Sequence, residues 1–195
     1  MRSWMIALVC AAAAMPLTAS AQVLVDTGAG GDLSSGGFLL TSSQSLAGKF
    51  TLANAATLSS VQGWIGGHAA GTLTAAIYSG DYTPETLLYS DSFSMGANGW
   101  QGVSGEHWGL GAGSYWVVFG STGLSWMAEG VPSPLPAYAV TRNGNWSRQD
   151  TLNLGVRIYG ASPAPEPATW ALMLGGFGVV GGVMPSRRKS AVTFA

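Results

Sequence analysis

Charge is what this chain has least of. Only 9% of its 195 residues are Asp, Glu, Lys or Arg, against about a quarter in ordinary globular chains. Disordered chains combine high charge with few aromatics, so 10% aromatic and 47% apolar residues exclude that class. Eight Lys and Arg against nine Asp and Glu leave a net charge of −1. No basic field exists to neutralise phosphates, which excludes nucleic acid as a partner. Cysteine is reduced to Cys10 alone. A sustained 3.6-residue apolar period is missing too, which argues against a helical domain. What is plentiful is glycine, 29 residues, and tryptophan, 8 residues. The length allows one domain, at most two.

The two ends differ from the middle. Arg2, the apolar run Ile6 to Met15, the break at Pro16 and the small-residue site Ala19-Ser20-Ala21 read as a secretory signal peptide over residues 1–21, recognised by the Sec export machinery. Ala19 and Ala21 mark the cleavage site, and Gln22 is the expected first mature residue. Val9 before Cys10 is wrong for a lipoprotein site, and cleavage removes that cysteine. The mature chain then has no disulfide, no thiol nucleophile and no thiolate ligand, so it folds on its apolar core alone.

At the other end Pro165-Glu166-Pro167 precedes an uncharged span, residues 168–184, and then Arg187-Arg188-Lys189. Seventeen residues of helix reach ~25 Å, the short limit for a bilayer core of ~30 Å. Trp170 suits the interface, and the basic cluster stays cytoplasmic as a stop-transfer signal, leaving the preceding domain outside. The prolines keep the junction extended and open to a processing enzyme. Pro165 through Leu174 (PEPATWALML), the Gly-rich apolar stretch and the basic cluster together resemble the PEP-CTERM sorting signal of exported Gram-negative proteins. The resemblance implies that exosortase, a membrane transpeptidase, cuts near Pro165, Glu166 and Pro167. The inner membrane then holds the precursor only transiently, through residues 168–184. It further implies delivery to the cell surface or an exopolysaccharide (biofilm) matrix. Two features depart from the pattern: Pro185-Ser186 interrupts the end, and Ser190 to Ala195 extends beyond it. The likeness covers residues 162–195 and concerns destination only.

Residues 22–161 read as one all-β domain. Short apolar or alternating runs are separated by Gly, Asn, Ser and Pro clusters. The expected strands are 23–26, 38–41, 46–52, 57–65, 72–79, 87–93, 114–120, 137–141 and 152–159. Turns are signalled at Ser79-Gly80-Asp81, Asn98-Gly99 and Asn143-Gly144-Asn145. This spacing predicts an antiparallel β-sandwich, jelly-roll-like, flanked by the signal peptide and a single C-terminal transmembrane helix. Lys49 to Leu52, Val61 to Ile65, Ala75 to Tyr78 and Leu110 to Val118 also resemble the sandwich domains that precede such anchors. That likeness supplies no activity and no site residues.

Chemistry is sparse. Asp26-Thr27-Gly28-Ala29 matches the loop of retroviral-type aspartic proteases, where two such Asp share a proton. It begins too close to the cleavage site, and a strand ending in a Gly-rich turn, with Asp26 bonding local amides, is the simpler reading. His68 and His107 lack metal-ligand spacing, so no metal and no cofactor is expected. No Ser occupies a nucleophile elbow, and the Gly28 to Gly37 stretch has no following Lys and so is no phosphate loop. Eight acids in the domain against Lys49, Arg142, Arg148 and Arg157 give a balance of −4. A carboxylate pair involving Glu106 is the one route to a hydrolase; scattered surface acids are the simpler account, and no enzyme is expected. Trp64 and Trp116 sit in apolar runs and are expected in the core. Trp100, Trp108, Trp126 and Trp146 lie near turns, where an indole can stack on a sugar ring. The sequence thus predicts a non-enzymatic, exosortase-sorted protein, with a carbohydrate-binding module using those loop tryptophans as the alternative.

Overall fold

The computed structural model describes residues 21–67, 71–128, 134–149, 151–161 and 176, nearly all of them in a compact unit within residues 1–162. Ala21 and Gly176 apart, the expected signal peptide and sorting segment lie outside the described residues, as do His68, Glu129 and Asp150. The unit is all-β. Its strands are β1 (Gln22–Asp26), β2 (Phe38–Leu40), β3 (Gln44–Leu52), β4 (Ala56–Gly67), β5 (Thr72–Ser79), β6 (Thr86–Ser94), β7 (Gly99–Leu110), β8 (Gly113–Ser121), β9 (Ser125–Met127), β10 (Ala137–Arg142), β11 (Asn145–Gln149) and β12 (Val156–Ala161), with one 3-10 turn at Leu33–Ser35.

Two antiparallel sheets result. The first runs β1-β12-β4-β9-β2, with β7 on the opposite flank of β4; the second runs β11-β10-β3-β8-β5-β6. Period-two alternation explains their faces. In β3, Leu46, Phe50 and Leu52 point inward while Ala47, Lys49 and Thr51 point outward. Leu73, Ile77, Val117, Phe119 and Val140 of the second sheet meet Leu58, Val61, Ile65, Val103, Val156 and Ile158 of the first in one buried core. Each such side chain contributes about 1.5–3 kcal/mol on burial, a sufficient drive without any disulfide.

Every expected strand has an observed counterpart, but β12 starts at Val156, four residues later than expected. Leu152 and Leu154 are buried all the same, as plugs before the strand. Three strands were not foreseen: β7, β9 and β11. Trp116 is buried as expected, though in a second cluster rather than between the sheets, whereas Trp64 is not part of the buried core. Trp64 lies on the outer face of the first sheet, its amide bonded to the Gly155 carbonyl at 2.9 Å. Trp116 is fully buried in a second cluster on the outer face of the other sheet, with Ala47, Val118 and Ala139. There its indole N–H donates to the Gly80 carbonyl at 3.1 Å, and Lys49 lies 5.8 Å from its ring while pairing with Asp81 at 3.2 Å.

The domain has a polar order along its strands. Gln22 pairs with Gly160, and Thr57 with Ala161, so residues 22 and 161 emerge together at one end. The opposite end carries Asp26, Arg157, Trp64 and Trp100 in register.

Candidate functional site

A polar and aromatic cluster lies on the outer face of the first sheet at that far end. Trp64 of β4 stands directly across from Trp100 of β7, and their rings meet edge to face, centroids 5.4 Å apart at 67°. Gln62 follows on the same face, in register with Gly102 on one side and Arg157 on the other. The Arg157 guanidinium carbon lies 4.1 Å from the Trp100 ring centroid, and its Nε donates to Asp26 Oδ2 at 3.1 Å. Asp26 Oδ1 accepts from the Gly28 amide at 2.8 Å. The Asp-Thr-Gly loop therefore closes on its own backbone and on Arg157.

Glycine makes this packing possible. A Cβ on Gly155 would come within 2.5 Å of the Trp64 Cβ, and one on Gly30 within 2.6 Å of the Ala128 carbonyl oxygen. The segment after β1 thereby lies close over the sheet. It is pinned by two indoles, Trp64 Nε1 donating to Gly31 O at 3.1 Å and Trp126 Nε1 to Leu33 O at 2.8 Å. Asp32 caps the 3-10 turn; the Ser34 hydroxyl and then the Ser34 amide hold its carboxyl below the usual carboxylate range.

The four tryptophans singled out from the sequence are not brought together. Trp100 is half-buried beside Arg157. Trp126 shares that face but its N–H holds the 3-10 turn. Trp146 is on the outer face of the other sheet, packed against the Trp116 cluster. Trp108 is 7% exposed and stacked on Tyr89 at 5.7 Å and 7°, within the core. It lies near the end of β7, and its pairing Leu58↔Trp108 turns the indole inward, away from any sugar. Reasoning from sequence missed Trp64, Gln62 and Arg157. Parity held the signal, since Trp64 alternates with Gln62 against Val61 and Ile65, and Arg157 separates Val156 from Ile158.

Glu106 of β7 lies near Asp91 of β6, where the two sheets meet along their β6 and β7 strands. Burial first, then the Asp91 charge and hydrogen bond, raise the Glu106 carboxyl above its usual range, while His107 pulls it down. Among the described residues no group of three His, Cys, Asp or Glu is placed to hold a metal ion, and no helix is long and apolar enough to cross a membrane. No protein-family model matches the chain, and comparison with curated proteins gives no match.

Proposed function

We propose that this is a non-enzymatic exported protein. The Sec machinery passes it across the inner membrane, exosortase reads Pro165, Glu166 and Pro167, and the sandwich is delivered to the cell surface or the exopolysaccharide matrix. The observation that carries the reading is the order of Pro165-Glu166-Pro167, the uncharged span 168–184 and Arg187-Arg188-Lys189. The pairing of Gln22 with Gly160 agrees with it, since residues 22 and 161 lie at one end of the domain and the Trp100–Arg157 face at the other.

The strand order supports the finer description as a jelly roll. Counting β1, β3, β4, β5, β6, β7, β8 and β12 as strands one to eight, the sheets read 1-8-3-6 and 2-7-4-5, the order of two interlocked Greek keys. The β10–β11 hairpin and the short β2 and β9 are additions to that frame. Lectin domains use the same architecture, a fold-level analogy that makes a glycan-rich destination reasonable.

Intact mass in an exosortase-bearing host tests the reading. Wild type is expected to lose residues 1–21 and the segment beyond the Pro-Glu-Pro motif. Replacing Glu166 by Ala, or deleting Arg187–Lys189, is expected to leave the longer form in the inner membrane. Normal mass and release of both variants would overturn the sorting role.

A further inference from the structure

The geometry points to a glycan-binding subsite built by Trp100, Arg157, Asp26 and Gln62 on the outer face of the first sheet, selective for neutral pyranose polymers. The export reading supplies only the encounter with polysaccharide; binding itself rests on the arrangement of these four side chains.

Sugar recognition needs an apolar plate for the C–H face of the ring and fixed donors and acceptors for its hydroxyls. Trp100 is half-buried rather than sealed, and Trp64 holds it edge-on. The Arg157 guanidinium lies over that ring, its carbon 4.1 Å from the centroid, so indole and guanidinium form one stack that offers flat surface to a sugar. Arg157 and Asp26 are 29% and 35% exposed along their side chains while bonded to each other. That pair offers a donor edge and an acceptor edge side by side, which matches vicinal hydroxyls, each of them both donor and acceptor. The Gln62 carboxamide, in register beside Arg157, adds one more of each. The unit is preorganised: Asp26 is tied to Gly28, Trp64 to Gly31, and Arg157 to both Asp26 and Trp100. Little rotamer freedom remains to be lost on binding.

Charge decides between neutral and acidic polymers. Asp26 already neutralises Arg157, and the domain around them carries a balance of −4. A uronate reaching the remaining N–H donors of Arg157 would set its carboxylate beside that of Asp26, and the like charges repel. A neutral hexose adds its hydroxyls without disturbing the pair.

The test is titration of the full chain, in a detergent without a sugar head group, with glucomannan and dextran as neutral probes and alginate and polygalacturonate as acidic ones. Near-UV circular dichroism reports folding of each variant. Wild type is expected to bind a neutral probe and to bind acidic ones at least about tenfold more weakly. Trp100→Ala and Arg157→Gln are expected to weaken neutral binding about tenfold or more. Trp100→Phe retains part of the plate and part of the affinity, and Trp146→Ala on the other sheet leaves it unchanged. Loss of binding in Trp146→Ala with retention in both Trp100 variants overturns this site while preserving glycan binding. Tighter binding of alginate overturns the charge argument. Binding of none of the four overturns the subsite and leaves the sorting role standing.

Discussion

Thr27 ties the first strand to the last, and removing its hydroxyl isolates the worth of that tie. The side chain is 2% exposed. Its Oγ1 donates to the Leu154 carbonyl at 2.9 Å and accepts from the Val156 amide at 2.8 Å, while its own amide donates to Val156 O at 3.0 Å. Thr27→Val preserves shape but removes both side-chain bonds, leaving a buried N–H and a buried carbonyl short of a partner. An orphaned buried group costs about 1–3 kcal/mol. The carbonyl has a second lone pair and loses less than the amide, so the sum is about 2–4 kcal/mol. Thr27→Ser keeps the hydroxyl and deletes one methyl group, about 0.8–1.5 kcal/mol. Urea unfolding followed by tryptophan fluorescence gives both values, and total stability of about 5–15 kcal/mol leaves room to measure them. The reasoning requires valine to be the worse substitution, by about 0.5–3 kcal/mol. A valine variant as stable as the serine one would refute it, by showing that these groups find water or other partners when the hydroxyl is gone.

Two further outcomes follow from single positions. Gly155→Ala drives a Cβ to 2.5 Å from Trp64 and 3.1 Å from the Gly30 amide. Overpacking of this kind costs about 1–3 kcal/mol and is expected to lower the urea midpoint and change the near-UV spectrum together; an unchanged midpoint would show that the indole yields freely. For Glu106, the folded chain keeps its proton to higher pH than the unfolded one. Stability therefore falls as pH rises from the ordinary carboxylate range through the raised value. Glu106→Gln removes that slope, so the variant's melting temperature relative to wild type is expected to climb between pH 4 and pH 7. A flat difference across that range would show that burial and the Asp91 charge do not raise this carboxyl.

The strands most open to reading were those with clean alternation. Residues 72–79 were bounded correctly, and Asn143-Gly144 forms the hairpin turn its residues demand, with φ of 52° and 84°. Asn98-Gly99 also marks a turn, but it serves the passage from β6 in one sheet to β7 in the other. β7 escaped notice because its apolar signal is broken twice. Gly102 must lack a side chain, since its Cβ would fall 2.0 Å from the Val61 carbonyl oxygen, and a register shift opposite Leu58 and Ser60 changes the parity of the residues beyond it. The site was less visible for a related reason. Its members come from β1, β4, β7 and β12, and only pairing across four strands brings Asp26 within reach of an arginine 131 positions away. A hydrophobic tryptophan such as Trp64 reads as core until its parity with Gln62 is weighed above its apolarity.

β12 lies between β1 and β4 and ends at the exit point of the chain. If the proposed sorting holds the protein through residue 161, it hangs from an interior strand. Force applied along β12 would load the ladders on both its flanks in shear, ten register pairs in all. The same force on β1, an edge strand bonded on one side, would engage four. Of the two ends, the one at residue 161 would be mechanically the stronger hold.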